Sequence, residues 1–431
     1  MNQVTVRSVG SLRGQIHVPG DKSISHRTLL LGCLADGDSE VRGFLPSADC
    51  LATLACVRAL GIHVERYDVD KLTIYGRGLH GLQKPPGPLD CVRSGTTMRL
   101  LAGTLSGQPF DTVLTGDPQL LRRPMERIAG PLRGMGADVA TTDGHAPLKI
   151  RRSVLHGREH TLPVASAQVK SAILLAGLYA DGPTVVRQPG PARDHTELML
   201  AAMGADIKTL GLDVTLTSGP SPLKPLDLTV PGDVSSAAFP LVAALLIPDS
   251  DITVEDAGVN PTRTGLLDVL DTMGARIAVN PRPRQGGEPM ADVTARASDM
   301  RATQVSGDTV VRMIDEFPLL AVVATQARGT TVVREAAELR VKETDRIAVI
   351  ASELQKLGAD IEPQPDGFVV RGPTPLHGAV VDSHGDHRIA MALVIAGLVA
   401  QGKTIVRDTS CIADSFPGFV ETMQRIGVPM T

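Results

Sequence analysis

A short pattern recurs six times along the chain and constrains the fold more than any other feature. In each copy a helical stretch ends in an apolar residue and a glycine, and a small or apolar residue then opens a strand-like run. A glycine there suits the left-handed residue that caps a helix before the chain enters a strand. The copies lie roughly 70 to 85 residues apart, which predicts six repeats of one α/β unit. Their glycines are Gly61, Gly136, Gly204, Gly274, Gly358 and Gly427.

Four apolar segments rich in Leu and Ala predict helices that are buried on all sides. They cover residues 171–178, 235–246, 317–327 and 389–400, and each precedes a strand-like run such as 183–186 or 330–333. A helix that is apolar most of the way round belongs in a core. We therefore expect the sheets to lie outside the helices, the reverse of a doubly wound parallel sheet.

The length of the chain predicts more than one domain. A chain of 431 residues exceeds what a single ordinary core supports. The segment Val230-Pro231-Gly232-Asp233 repeats Val18-Pro19-Gly20-Asp21, about half-way along. We expect two α/β domains of three repeats each, one formed by 20–229 and the other by 1–19 with 230–431, with an active site in the cleft between them. The Pro-, Gly- and Arg-rich residues 281–288 predict a surface loop.

Composition excludes several classes of protein. A net charge of −4 and only 2% aromatic residues, with no Trp, speak against nucleic-acid binding. No apolar run approaches transmembrane length and the start lacks a signal pattern. Five cysteines without a CxxC pair are typical of reduced, buried thiols in a cytosolic protein. We expect a cytoplasmic monomer that binds neither nucleic acid nor membrane.

Two short motifs favour neither a cofactor nor a metal. Gly76 to Gly81 matches GxGxxG, but the following Pro-rich run cannot start the helix that a dinucleotide site needs. His384 and His387 could form a metal pair, but no third ligand cluster or HExxH motif accompanies them. The sequence therefore predicts no cofactor and no metal.

Charged side chains concentrate at turns that lead into helices. At residues 18–27, Pro19-Gly20 ends a strand and either Asp21 or Ser23 can cap the next helix, whose free amides then lie beside Lys22 and Arg27. Similar stretches are 94–99, 116–124, 165–170, 339–346 and 386–388. For any single stretch a solvated face is the simpler interpretation. Six together, in an acidic protein, predict a cleft for small anionic substrates carrying several phosphate or carboxylate groups.

Two adjacent carboxylates are candidates for a general base. Asp315 and Glu316 lie among apolar neighbours in the run 313–318, where desolvation raises the pKa of a carboxyl group. Asp315 could equally be the N-cap of a helix that begins near Pro318. The sequence alone leaves these two alternatives open.

The same stretches resemble the enolpyruvyl transferase family along the whole chain. The matching motifs are PGDKSISHR (19–27), SGTTMRLL (94–101), ASAQVKS (165–171), RDHTE (193–197), IDEFP (314–318), RVKETDR (340–346) and DHRIAM (386–391). The resemblance implies a two-domain inside-out α/β barrel, each domain built of three βαβαββ repeats with buried helices and outer sheets. It also implies transfer of the carboxyvinyl group of phosphoenolpyruvate to the 5-hydroxyl of shikimate 3-phosphate, the shikimate-pathway step toward chorismate and the aromatic amino acids, without a metal or cofactor.

The resemblance also assigns site residues. Shikimate 3-phosphate would be held by Lys22, Ser23, Arg27, Ser166, Ala167, Gln168, Asp315 and Lys342. Phosphoenolpyruvate would be held by Lys22, Gly95, Arg123, Gln168, Arg346 and Arg388. Asp315 would take the hydroxyl proton, while Glu343 and Lys22 would serve protonation of the methylene carbon and departure of phosphate.

Three departures from the family pattern support an alternative function. Val92-Arg93 stands where members have Gly-Asn, Asp414 where many have lysine, and Ala192 where a serine is common. The first two would reshape the phosphoenolpyruvate site and repel an anion. The alternative is a relative that binds shikimate 3-phosphate or a related acceptor but eliminates phosphate or performs other chemistry without enolpyruvyl transfer. Retention of the motif residues argues against a third possibility, an inactive binding module.

Overall fold

The computed structural model describes residues 2–219 and 221–431, which divide into two compact units. The first unit comprises Gly20–Pro231 and Arg284–Glu288. The second comprises the chain up to Pro19, Gly232–Pro283 and Pro289–Thr431. Each unit has its own hydrophobic core.

The chain opens with two strands of the second unit and then forms the three repeats of the first. In each repeat a buried helix, a strand, a second helix, a hairpin and an edge strand follow one another. The opening strands are β1 (Gln3–Arg7) and β2 (Arg13–Ile16). The first repeat has α1 (Lys22–Leu34), β3 (Asp36–Arg42), α2 (Ala48–Ala59), β4 (Val64–Arg66), β5 (Leu72–Arg77) and β6 (Leu89–Asp90); the second has α3 (Gly95–Ser106), β7 (Thr112–Thr115), the short α4 (Pro118–Leu121), α5 (Glu126–Gly134), β8 (Asp138–Thr142), β9 (His145–Arg151) and β10 (Glu159–Thr161); the third has α6 (Ala167–Gly177), β11 (Pro183–Arg187), α7 (His195–Ala202), β12 (Asp206–Leu210), β13 (Asp213–Thr217) and β14 (Asp227–Thr229).

The second unit continues with three repeats, of which the third has β1 in place of the hairpin. The first has α8 (Val234–Leu246), β15 (Asp251–Gly258), α9 (Gly265–Thr272), β16 (Arg276–Gln285), β17 (Glu288–Arg296) and β18 (Gln304–Val305); the second has α10 (Asp308–Arg312), α11 (Phe317–Gln326), β19 (Gly329–Val333), a 3-10 helix (Ala337–Val341), α12 (Arg346–Lys356), β20 (Asp360–Gln364), β21 (Gly367–Gly372) and β22 (Val380–Asp382); the third has α13 (His387–Val399), β23 (Lys403–Arg407), a 3-10 helix (Thr409–Asp414) and α14 (Phe419–Arg425).

The described strands form six small mixed sheets, five of four strands and one of three. In the four-stranded sheets a hairpin pairs antiparallel with the strand that follows the buried helix, and the edge strand pairs with that strand in parallel, as in the order β6-β7-β9-β8. A parallel pair needs a crossover connection, which the buried helix supplies. The expected α/β fold with repeats built around buried helices is confirmed.

The repeated Val-Pro-Gly-Asp segment lies where the chain passes from one unit to the other. In the first unit the amide of Asp21 donates to the carbonyl of Pro231 at 2.7 Å, and in the second the amide of Asp233 donates to the carbonyl of Pro19 at 2.8 Å. The segments that precede the two crossings also supply edge strands. Strand β14 pairs with β3 in the first unit, and strand β2 pairs with β15 in the second. Each unit therefore completes its first sheet with a strand that is distant in sequence.

All six recurrent glycines end helices in the left-handed conformation, with φ between 83° and 100°. After α2, for example, the amide of Gly61 donates to the carbonyl of Arg58 and the amide of Ile62 to that of Val57. These two backbone hydrogen bonds form the Schellman motif. It recurs after α5, α7, α9, α12 and α14, so the pattern predicted the helix ends correctly.

The four helices predicted to be buried, α6, α8, α11 and α13, are buried along most of their length, and so are α1 and α3. In the first unit α3 and α6 pack so closely that a methyl group on Gly103 would lie 2.2 Å from the carbonyl oxygen of Ala172. Only glycine permits this approach. Within the described part of the chain, no helix has the length and apolar character needed to cross a membrane.

The prediction of a surface loop at residues 281–288 is wrong. These residues form the end of the β16–β17 hairpin, whose turn has Gly286 at φ 54° and Gly287 at φ 87°. Two left-handed glycines suit a two-residue hairpin turn. Strand β16 lies at the edge of its sheet, where proline is tolerated because no ladder hydrogen bond is lost.

Candidate active site

Three buried helices of the first unit begin at capped residues beside predicted site residues. The side chain of Asp21 accepts from the amide of Ile24 at 2.9 Å, so Asp21, rather than Ser23, caps α1. Ser94 caps α3 and Ser166 caps α6 in the same way. Helix N-termini attract anions. Lys22, Ser23, Gly95, Ala167 and Gln168 all lie in the first turns of these helices.

Lys22 is paired with a carboxylate that the sequence did not single out. Its ammonium lies 2.6 Å from Oδ2 of Asp49, and the side chains are 21% and 19% exposed. Asp49 lies in the first turn of α2. Lys22 is therefore accessible, and its direction is set by the neighbouring helix.

Arg27 is held rigidly by hydroxyl groups from two other helices. Its Nε donates to Thr196 at 2.7 Å, its Nη2 to Ser171 at 2.8 Å and its Nη1 to the carbonyl of Ser23 at 2.9 Å. Burial lowers the pKa of Arg27 to about 10, against the opposing effect of the Glu197 carboxylate. The guanidinium remains charged at neutral pH. Ser23 in turn accepts a long hydrogen bond of 3.5 Å from Arg193.

Gly95 and Gln168 lie beside two arginines. Arg99 donates to the side-chain oxygen of Gln168, whose amide donates to Thr96 at 2.9 Å. A methyl group on Gly95 would lie 3.3 Å from Nη1 of Arg123 and 3.4 Å from Nη1 of Arg99. The turn at Gly95 thus places two guanidinium groups against bare backbone, an arrangement suited to an anion. Arg99 was not among the predicted ligands.

Val92 and Arg93 are the two residues before Ser94-Gly95 that depart from the family pattern. Val92 adopts the left-handed conformation with φ 51°, which is strained for a β-branched residue and natural for glycine. Its carbonyl accepts from the amide of Asp117 at 2.8 Å. Nε of Arg93 lies 2.8 Å from Oδ2 of the same Asp117. The chain therefore keeps a glycine-like turn here, and Arg93 is engaged with an acid.

Lys170 is structural. Its ammonium lies 2.6 Å from Oε1 of Glu197, and both side chains are at most 5% exposed. It also donates to the carbonyl of Ala192 at 3.2 Å, the residue that replaces the common serine. A buried pair of this kind leaves no charge for a substrate.

In the second unit, Arg346 gathers three carboxylates. Its Nε donates to Asp386 at 2.8 Å, its Nη2 to Glu343 at 2.7 Å and its Nη1 to Asp315 at 3.3 Å. Burial lowers the pKa of Arg346, but these carboxylates raise it by more, so that the net shift is upward. Burial raises the pKa of Asp386, but Arg346 and His387 lower it by more. Arg346 thus brings the predicted residues Asp315 and Glu343 together.

Asp315 is not a helix cap. The residue at the N-cap of α11 is Glu316, without a side-chain capping bond, and Asp315 instead contacts Arg346 and lies 3.7 Å from Nη2 of Arg388. Burial raises the pKa of Glu316, and the Asp315 carboxylate adds to the shift. Desolvation is thus confirmed for Glu316, and Asp315 is positioned by two arginines.

Lys342 lies close enough to Asp315, Glu343 and Arg346 to interact with their charges. Burial lowers the pKa of Lys342, which lies half-buried 3.8 Å from Oε1 of Glu338. Asp414 ends a 3-10 helix and is half-buried. Among the described residues, no group of three or more His, Cys, Asp or Glu side chains is arranged to hold a metal ion.

The sequence analysis missed several residues that contact the predicted site residues, because these contacts join segments distant in sequence. Thr196 and Glu197 lie in the RDHTE motif, but nothing in that motif indicates that they bind Arg27 and Lys170. Asp49 follows an unremarkable helix cap, Ser47. A carboxylate in the first turn of a helix was the only signal for it.

The chain is similar to known proteins over nearly its whole length. The profile of the family described as EPSP synthase (3-phosphoshikimate 1-carboxyvinyltransferase) matches residues 6–423. The 3-phosphoshikimate 1-carboxyvinyltransferase of Desulforudis audaxviator is 54% identical over 418 residues, covering 96% of this chain and 97% of the relative. That of Citrifermentans bemidjiense is 52% identical over 428 residues, covering 99% of each. The structure of EPSP synthase from Acinetobacter baumannii superposes with a TM-score of 0.91 at 44% identity, covering 100% of this chain and 99% of that one. The chain belongs to the EPSP synthase family.

Proposed function

We propose that the protein is a carboxyvinyl transferase that acts on phosphoenolpyruvate and shikimate 3-phosphate. It transfers the carboxyvinyl group to the 5-hydroxyl, giving 5-enolpyruvylshikimate 3-phosphate and phosphate, in the shikimate pathway that leads to chorismate and the aromatic amino acids. The observation that carries this function is the family match over residues 6–423. The named relatives have the same activity in their names and cover nearly the whole chain.

The residues assigned by the family resemblance act on these two substrates in our proposal. Shikimate 3-phosphate is bound by Lys22, Ser23, Arg27, Ser166, the backbone of Ala167, Gln168, Asp315 and Lys342. The support is the first-turn position of the helix residues and the rigid, charged Arg27. We propose that the chain forms two three-repeat domains, 20–229 and 1–19 with 230–431; the division of the chain after Pro19 and Pro231 supports this.

Phosphoenolpyruvate is bound by Lys22, Gly95, Arg123, Gln168, Arg346 and Arg388 in the same proposal. The guanidinium groups beside Gly95 support it on the first unit, and Arg346 and Arg388 support it on the second. Pre-placed cations stabilise charge that develops on the phosphate as it leaves.

Three residues carry out the proton transfers in this proposal. Asp315 takes the proton of the 5-hydroxyl as its oxygen attacks C2 of phosphoenolpyruvate, while C3 receives a proton from Glu343 or Lys22. Loss of a proton from C3 and departure of phosphate then restore the double bond. The contact of Asp315 with Arg346 keeps its carboxylate oriented for this task. Positioned acids and bases of this kind typically contribute about 10²–10⁴-fold in rate.

The alternative function without enolpyruvyl transfer has no observation in its favour. Arg93 is engaged with Asp117, and Val92 keeps the backbone conformation that glycine would adopt. The relatives compared have the carboxyvinyltransferase name. We therefore retain a single function.

A phosphate-release assay tests this function. Purified protein is mixed with shikimate 3-phosphate with and without phosphoenolpyruvate, and the product is identified by mass spectrometry. We expect phosphate only when both substrates are present, with one 5-enolpyruvylshikimate 3-phosphate formed per phosphate. Phosphate release without phosphoenolpyruvate would establish the alternative instead.

We further propose that the enzyme works as a monomer in the cytoplasm. All five cysteines are free and buried, which suits a reducing compartment. Light scattering of the purified protein measures its oligomeric state, and a dimeric mass would contradict the monomer.

A further inference from the structure

A buried chain of polar groups in the second unit ends on Arg388. Nη2 of Arg263 lies 3.0 Å from Oδ1 of Asp233 and donates to Ser235 at 2.8 Å. Ser235 donates to Oε1 of Glu316, and the same Oε1 lies 3.6 Å from Nη1 of Arg388. We call Arg263, Ser235, Glu316 and Arg388 the Glu316 chain.

The Glu316 chain is almost completely removed from water. Glu316 is 4% exposed, and its three partners are 2% to 8% exposed. A buried carboxylate is costly unless cations and hydrogen bonds compensate it. Here Arg388 and Arg263 lower the pKa of Glu316, while burial, the largest effect, and Asp315 raise it. Those two arginines, Asp315 and the Ser235 hydroxyl are the groups that face the carboxyl.

Arg388 is flanked by two carboxylates. Its Nη1 lies near Glu316 and its Nη2 lies 3.7 Å from Oδ2 of Asp315. With both acids ionised, the guanidinium is held from both ends. If Glu316 loses its charge, only Asp315 still attracts the guanidinium, which then turns toward that acid and leaves the position it holds between the two carboxylates. For an incoming anion, this loss of position outweighs the gain in net positive charge.

We propose that Glu316 is a positioning residue for phosphoenolpyruvate, acting through Arg388. The inference rests on the proposed function, in which Arg388 binds that substrate. Glu316 touches no reacting atom in this scheme. The charge of Glu316 keeps the guanidinium of Arg388 available, and Ser235 and Arg263 keep Glu316 in place.

Steady-state kinetics of Glu316→Gln at about pH 7.5 test the proposal, since glutamine keeps the shape of the glutamate side chain and removes its charge. We expect the KM for phosphoenolpyruvate to rise about tenfold, with kcat and the KM for shikimate 3-phosphate nearly unchanged. The matched control is Glu353→Gln. Glu353 is 1% exposed and paired with Lys356 and His384, so its loss tests burial alone.

A pH profile adds a readout that a structural role would not change. In the parent enzyme the KM for phosphoenolpyruvate should rise as pH falls through the raised pKa of Glu316. The substrate phosphate itself titrates near pH 6, so the Glu316→Gln profile supplies the baseline and should lack the additional rise. Identical profiles, or a KM change no larger than that of Glu353→Gln, would overturn the proposal.

Direct binding separates this inference from the proposed function. Calorimetry measures the affinity of phosphoenolpyruvate and of inorganic phosphate for the parent and for Glu316→Gln. If turnover is absent but both ligands bind the variant about tenfold more weakly, the positioning role stands and the function fails. Equal affinities, or no binding to either protein, reject the positioning role.

Discussion

The ammonium of Lys22 lies 2.6 Å from Oδ2 of Asp49, where α1 and α2 begin. The pair is about one-fifth exposed, so water weakens it and an anion can share the lysine. Asp49 therefore orients the ammonium group of Lys22. Because both side chains are partly exposed to water, the pair does not cancel the lysine's charge as fully as a buried pair would. The lysine is held in one direction before a substrate arrives.

Replacing Lys22 by Ala should lower kcat by about 100-fold or more, because one positioned charge at a transition state is worth that much. The protein should stay folded, since the pair is partly exposed. Stopped-flow or steady-state rates and the melting temperature measure both effects. Lys208→Ala is the control, since Lys208 is 81% exposed and pairs with the nearby Asp206. An unchanged rate in Lys22→Ala would remove Lys22 from the mechanism.

Replacing Gly95 by Ala should weaken phosphoenolpyruvate binding and leave shikimate 3-phosphate binding nearly intact. The new methyl group would meet the guanidinium groups of Arg123 and Arg99 at 3.3 and 3.4 Å, closer than ordinary contact. We expect the KM for phosphoenolpyruvate to rise about tenfold. Gly130→Ala in α5 is the control, since its methyl group would have only Glu126 Oε1 at 3.8 Å. An equal effect on both substrates would contradict this assignment.

Replacing Val92 by Asn should stabilise the protein by about 1 kcal/mol, because Asn tolerates the left-handed conformation that strains a β-branched residue. Denaturant unfolding measures the change. Val279→Asn is the control, since Val279 is similarly exposed in a strand and should gain nothing. If Val92→Asn is no more stable than the parent, the strain at this turn is not significant.

Buried His26 should make the protein less stable as pH falls below 6.5. Burial lowers the pKa of His26 to about 3, so between pH 6.5 and 3 the unfolded chain binds a proton that the folded chain refuses. At pH 5, which is 1.5 units below the ordinary pKa of 6.5, the loss is about 2 kcal/mol relative to neutral pH.

The His26→Asn variant isolates this effect, since asparagine can keep a hydrogen bond to Thr53, which lies 2.6 Å from Nδ1 of His26. The decline in unfolding free energy between pH 7.5 and 5 should shrink by about 2 kcal/mol in that variant. The exposed His63 provides the control, and His63→Asn should keep the full decline. Equal declines in all three proteins would contradict a neutral, buried His26.

Local chemistry made the repeated elements predictable. The six glycines such as Gly61 end helices because a left-handed residue is needed there whatever the tertiary context. The all-round apolar character of α8 and α13 predicted their burial in the same way. The hairpin at 281–288 was missed because its prolines indicated a loop, while the edge position that tolerates them depends on the sheet.

The sequence by itself determined the family, the six-repeat α/β organisation and the identity of the charged groups at the helix starts. The partner of each charge was decided only by the tertiary structure. Lys22 pairs with Asp49, and Asp315 contacts two arginines instead of capping α11. Lys170 pairs with Glu197, and Glu316 lies 3.6 Å from Arg388. Caps and periodicity depend on neighbours within a few residues, whereas ion pairs depend on which distant helices the core brings together.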